Sequence, residues 1–208
     1  GFMDGVMTSK NPSAKWKSAF EGILDAYIGE CPKTFNYQGK ETDAKSLAQE
    51  LGIDAGEYVS LTSFSHHPYY EQFILEIPDN GSFYNIPLDV MVDAIDSAVD
   101  KGYTIAWDGD VSEKGFSAKE GIAVLPSAPA REDLFDTPGK EMDVTQQLRQ
   151  QQFMSKSTTD DHLMHIVGLA KDQKGNQYFI IKNSWGEISE HKGFLYMSEA
   201  YFRMKTVA

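Results

Sequence analysis

Apolar residues recur every three or four positions between Ser13 and Ile28, where Trp16, Phe20, Ile23, Leu24 and Tyr27 fall on one face of a helix. Ser13 is placed to cap its start, and Gly29 and Pro32 supply the stop. A shorter helix is predicted over Asp43–Leu51, with Leu47 and Leu51 on one face and Gly52 just beyond, followed by the strand-like run Tyr58–Thr62. Tyr70–Ile77 reads as another strand. Pro87 then opens a helix through Lys101 in which Met91, Ile95 and Val99 recur, and Tyr103–Trp107 follows as a strand. From Gly109 to Thr159 the chain is rich in Gly, Pro, Ser and charge and reads as a long surface excursion, with one helical stretch around Thr145–Phe153. Beyond it the texture changes. His165–Ala170, Tyr178–Lys182 and Gly193–Met197 are short apolar runs separated by turns such as Asp172-Gln173-Lys174-Gly175-Asn176, the pattern of an antiparallel sheet.

Helices first and an antiparallel sheet last predict an α+β fold, because a parallel sheet would need alternating βαβ units. The expected division sets a helical and insertion region, 1–102, against a β-rich half, 103–208. No glycine pattern marks a phosphate loop or a dinucleotide turn.

Composition narrows the classes of function. At 208 residues the chain is long enough for one domain of about 150 residues and a fraction, and its charged share of 24% is that of an ordinary soluble protein. No apolar run approaches the ~18 residues of a membrane span. A net charge of −12 repels phosphate backbones and anionic lipid, and no dense basic patch offsets it, so neither nucleic acid nor a membrane is an expected partner. The single cysteine, Cys31, excludes an intramolecular disulfide framework. The first residues lack the basic flank and apolar centre of a signal peptide, and Gly1 reads as an artificial or a cut end. A cytoplasmic location is the expectation.

The chemistry concentrates late in the chain. His165 opens one predicted strand and Asn183 ends the next, eighteen positions on, so a hairpin brings them together. A histidine can move protons near neutral pH, and an amide oxygen beside it can hold one imidazole N–H while the other nitrogen faces a nucleophile. Taken singly, a strand histidine is most often structural and an asparagine before Ser184-Trp185-Gly186 is most often a turn former. Trp185 changes the balance, because an indole over the pair would shield its hydrogen bond from water.

These residues carry a resemblance. Lys182-Asn183-Ser184-Trp185-Gly186, placed after His165-Ile166-Val167-Gly168 and before Lys192-Gly193-Phe194-Leu195-Tyr196-Met197, resembles the second half of a papain-like cysteine peptidase. Phe20–Tyr27, Tyr58–Tyr70 and Thr159–Met164 are similar to the bleomycin hydrolase and aminopeptidase C branch. The resemblance implies His165 as general base and acid, Asn183 as its orienting residue, Trp185 packed over the asparagine, and His162 as structural. It places Asp108 and Asp110 near the cleft for a peptide substrate. It implies hydrolysis of peptide bonds from the N-terminus, without cofactor or metal. It also implies a homo-oligomer, since that branch forms hexameric barrels. His66-His67 suggests no metal site either, since adjacent residues on a strand point to opposite faces and no third ligand is near in sequence.

The family needs a cysteine at a helix N-terminus, where the helix field and a histidinium favour the thiolate. Cys31 instead follows the C-terminal end of the first predicted helix, in Gly29-Glu30-Cys31-Pro32, with no tryptophan after it. The expectation is therefore an incomplete papain-like fold that supplies a base and its orienting residue to a nucleophile on another segment or a second chain. The competing expectation is a catalytically inactive papain-like module that binds a peptide or a partner.

Overall fold

A computed structural model describes residues 1–75, 81–127 and 133–208, and the chain divides into two compact units, Gly1–Tyr58 and Val59–Ala208. In the first unit α1 (Phe2–Thr8) packs on α2 (Trp16–Ile28) through the stacked rings of Phe2 and Phe20. Ser13 stands before α2 rather than capping it, its hydroxyl accepting the Lys15 N–H in the turn that leads into the helix. The hairpin of β1 (Phe35–Tyr37) and β2 (Lys40–Thr42) precedes α3 (Ala44–Glu50). Asp43 caps α3 by accepting the Lys45 and Ser46 N–H groups at 2.9 Å, and the bond from Ser46 holds its carboxyl below the usual value. Leu51, expected on a buried face, is exposed.

Among the described residues the second unit holds two sheets. The smaller joins β3 (Leu61–Thr62), β4 (Gln72–Ile74) and β5 (Ser82–Asn85) in the order β3-β5-β4, with β3 parallel to β5. Of the strand expected over Tyr70–Ile77, the described residues form Gln72–Ile74, and its last two positions lie outside them. Pro87 opens α4 (Leu88–Asp100) as its composition predicts, and the helix buries Leu88, Met91, Val92 and Ile95.

The larger sheet uses β6 (Ile105–Gly109), β7 (Phe116–Ser117), β8 (Ile122–Ala123), β9 (His162–Lys171), β10 (Gln177–Lys182) and β11 (Phe194–Ser198), ordered β6-β9-β10-β11-β8-β7 among the described residues. All its pairings are antiparallel except β11 with β8. The fold is α+β. Two further helices, α5 (Gln146–Met154) and α6 (Glu199–Lys205), complete the unit. One core gathers Met91 and Ile95 of α4, Trp107 of β6, Ile166, Phe179, Ile181, Leu195 and Met197 of the sheet, and Phe202 of α6. The expected boundary at 102/103 falls inside this core, between α4 and β6.

The segment 109–159 is not a surface excursion. It supplies β7, β8 and α5 and buries Ala123, Val124, Leu125, Val144 and Arg149. Strands of two residues are too short to show alternation, and β8, which pairs with β7, is tied to the sheet through β11 some seventy positions away, so long-range pairing reveals them.

Candidate active site

The parity of strand positions decides which side chains meet. Met164 and Ile166 of β9 are buried in the core, whereas Leu163, 65% exposed, and His165 point the other way. His162 shares the parity of Met164 and Ile166. On the neighbouring strand Ile181 faces Ile166 and Lys182 faces His165. Continuing that register sets Asn183 across from Met164, with His162 as its diagonal neighbour on the same face. The histidine that reaches Asn183 is therefore His162, with Nε2 to Oδ1 at 2.9 Å. The expectation that His165 makes this contact is corrected, because His165 stands opposite Lys182 on the outer face.

The chemistry of the bond fixes the proton. The Ser184 backbone N–H, which can only donate, approaches the same Asn183 atom at 2.7 Å, so that atom is the amide oxygen. His162 Nε2 must then carry the hydrogen it shares with Asn183, which leaves the lone pair on Nδ1. Trp185 stacks on the imidazole itself, with centroids 4.6 Å apart and planes at 30°. Phe116 meets the indole edge to face at 6.2 Å. The loop after Asn183 closes where the Asn183 N–H bonds Gly193 O at 2.9 Å. Gly193 has φ +84°, and a Cβ there would lie 2.6 Å from Gly186 O, so both conformation and space demand glycine.

The backbone just before His162 is held on several sides. Gly109 pairs with His162 across β6 and β9. The Asp161 carboxylate accepts the Val111 N–H at 2.9 Å and the Thr159 hydroxyl at 3.1 Å. Asp110, expected near a substrate, is 1% exposed and forms an ion pair with the equally buried Lys205 at 3.1 Å. Burial favours its neutral form, but hydrogen bonds from Ser112 and the Lys205 ammonium outweigh it and hold the carboxyl below the usual range. Nothing in the local sequence around Lys205 marks it, since its partners are brought by β6 and by the residues leading into β9.

His66 and His67 do not lie on a strand with opposed side chains. They occupy a turn, with ring centroids 4.4 Å apart, beside Phe73. Among the described residues no group of histidine, cysteine and acidic side chains is arranged to hold a metal ion. Cys31 is exposed, two residues past the Gly29 that ends α2.

With the His162–Asn183 pair under an indole, on an antiparallel sheet preceded by helices, the comparison with known families is decisive. The profile of the Peptidase C1-like family matches residues 18–206. The chain belongs to the Peptidase C1-like family. It is 27% identical over 194 residues to "Aminopeptidase G" of Lactobacillus delbrueckii subsp. lactis, an alignment covering 85% of this chain and 42% of that protein. It is 25% identical over 211 residues to "Aminopeptidase E" of Lactobacillus helveticus, covering 93% and 46%. Its fold is shared with the crystal structure of PepW from Lactobacillus rhamnosis HN001, at a TM-score of 0.69 and 19% identity, over 93% of this chain and 46% of that one. This Peptidase C1-like chain thus spans less than half the length of the relatives it matches. Among its described residues no helix is long and apolar enough to cross a membrane.

Proposed function

We propose that the chain carries the base half of a thiol-dependent aminopeptidase. The observation that supports this is the His162 Nε2–Asn183 Oδ1 hydrogen bond beneath Trp185. With Nε2 committed to Asn183, Nδ1 is the nitrogen that takes a proton from a thiol, and the imidazolium so formed then protonates the leaving amine. Asn183 fixes the ring's rotation and tautomer, as an orienting group must. His165, on the outer face, takes no part.

The thiolate belongs to a cysteine other than Cys31. A residue past the C-terminal end of a helix meets the negative end of the helix dipole, which disfavours the anion a nucleophile must become. Action at the N-terminus of peptides is inferred from the names of the relatives, which are aminopeptidases.

The test uses the full-length gene product and a set of aminoacyl 4-nitroanilides. His162→Gln is expected to lower kcat by about 10²–10⁴-fold, the range for loss of a positioned general base. His165→Gln and Cys31→Ser are expected to leave it within about twofold, as surface changes away from a site do. The reading is overturned if His165→Gln abolishes turnover while His162→Gln does not. An alkylation-insensitive, inactive gene product with His162 and Asn183 in place favours the peptide-binding module instead.

A further inference from the structure

The segment 157–159, which leads towards His162, is held by a buried ion pair between Asp110 and Lys205. Asp110 follows directly on Gly109, the partner of His162 in the β6–β9 ladder. Its Oδ1 accepts both the backbone N–H and the hydroxyl of Ser112, at 2.8 and 2.7 Å, and its Oδ2 accepts the Thr159 N–H at 3.3 Å. Lys205, the last residue of α6, spends its three ammonium protons on Asp110 Oδ2, on Ser157 O at 2.7 Å, and on the Glu113 carboxylate. Thr158 adds a hydroxyl bond to Met204 O at 3.4 Å. The segment 157–159 is therefore gripped from both sides, by α6 and by the residue after β6. The grip is closed to solvent, with Lys205 2% and Asp110 1% exposed.

Two features argue that this grip serves His162 rather than stability in general. A buried ion pair is a poor stabiliser, because desolvation offsets most of its attraction and apolar residues of like size do as well. Its use lies in fixing one geometry. The geometry here is that of the start of β9, where a shift of an ångström carries the imidazole away from Asn183 Oδ1. The β6–β9 ladder ends at the Gly109–His162 pair, and beyond it the backbone adds only the Asp161 N–H to Gly109 O bond at 3.4 Å and the Asp110 N–H to Lys205 O bond at 3.0 Å, so the side-chain network supplies much of what holds the strand at this point.

We propose that Asp110 and Lys205 are positioning residues for His162: their buried pair sets where β9 begins and so keeps the imidazole within reach of Asn183. The proposal rests on the reading of His162 as the base, and its test separates the two. The 208-residue chain, labelled with ¹⁵N-histidine, reports by NMR which imidazole nitrogen carries the proton and how fast that proton exchanges with water. The wild-type chain is expected to show His162 in the Nε2–H form with slowed exchange. The double substitution Asp110→Asn with Lys205→Met removes both buried charges together and leaves only the partly exposed Glu113 carboxylate, which water can solvate, without its cation. It is expected to keep core amide protection while His162 becomes a mixture of tautomers and its ring proton exchanges at least about tenfold faster. Thr159→Pro, which deletes the N–H that Asp110 accepts and leaves both charges while also restraining the backbone at 158 and 159, is expected to show the same signature and stands in should the double variant not fold. Either folded variant with an unchanged His162 signal overturns the positioning role while leaving the base assignment intact. A wild-type chain lacking the Nε2–H signature overturns the base assignment, and the positioning role with it.

Discussion

Trp185 lies over His162 with ring centroids 4.6 Å apart, and the residue is 47% exposed. A half-exposed side chain contributes little to global stability, whereas a shielded hydrogen bond is worth more than a wet one. Trp185→Ala is expected to change the free energy of unfolding by less than about 1 kcal/mol. In the full-length protein it should lower kcat/KM by about tenfold, the scale of one ~1.4 kcal/mol loss of ordering at the base. Phe116→Ala, which removes the ring that meets the indole edge, should produce a smaller loss of the same kind. Paired melting curves and kinetics check both, and a large stability loss with unchanged kinetics would contradict the shielding role.

Glu141 gives the fold one component of pH dependence with an unusual sign. Desolvation raises its carboxyl above the ordinary 4.5, and the Leu125 N–H and Ser198 hydroxyl, at 2.6 and 2.5 Å, only partly offset this. The folded state therefore holds this proton more tightly than the unfolded chain, so the contribution is fully present below 4.5 and is lost as pH rises through the raised native value. Glu141→Gln keeps an acceptor for both donors and removes the titration. Its stability relative to the parent should improve as pH climbs from 4.5 towards neutrality, as read by urea midpoints at a series of pH values.

Asp110 acts in the opposite direction. Its carboxyl is held below the ordinary 3.8, so its contribution is complete above that value and disappears as pH falls through the lowered native one. Asp110→Asn alone leaves the Lys205 ammonium, 2% exposed, with Glu113 as its remaining counter-charge, and a cost of about 1–3 kcal/mol at neutral pH is expected for the lost charged hydrogen bonds. The difference between variant and parent should shrink at pH values below 3.8, measured by thermal or urea unfolding.

Gly109 has no room for a side chain. A Cβ there would stand 2.3 Å from Lys205 O and 2.4 Å from Trp107 Cζ2, both fixed in the interior. Gly109→Ala is expected to cost about 1–3 kcal/mol through overpacking. It should also disturb the His162 ring signals, because Gly109 is the ladder partner of His162. A folded variant with native stability would contradict the close approach.

The elements legible in the sequence are those whose signals are local. The helix opened by Pro87 and the three late strands are found within a few residues of expectation because each carries its own period and its own stop. The spacing brought Asn183 to an imidazole, that of His162 rather than of His165, and Trp185 stacks on that ring where the asparagine was the expected partner. His162 was displaced in favour of His165 for a reason of parity: β9 begins three residues earlier than its apolar run, and one step along a strand exchanges the faces. The alternation of Met164 and Ile166 towards the core was the available signal, since it puts His162 and not His165 on their side. Lys205 and Asp110 left no trace of this kind. Ninety-five positions separate them, and only the folded chain shows that they touch.

The stacking of Trp185 on His162 also gives the molecule an optical reporter. The chain has three tryptophans, and their surroundings differ. Trp107 is buried, with its indole N–H bonded to Thr206 Oγ1 at 2.8 Å, and Trp16 belongs to α2, with the Lys17 ammonium 5.6 Å from its ring. Trp185 is stacked on an imidazole, and a protonated imidazole quenches indole emission by accepting an electron from the excited ring. Fluorescence titrated against pH, with Trp185→Phe as the blank, therefore reads the charge on His162 directly, in a dilute cuvette and without substrate.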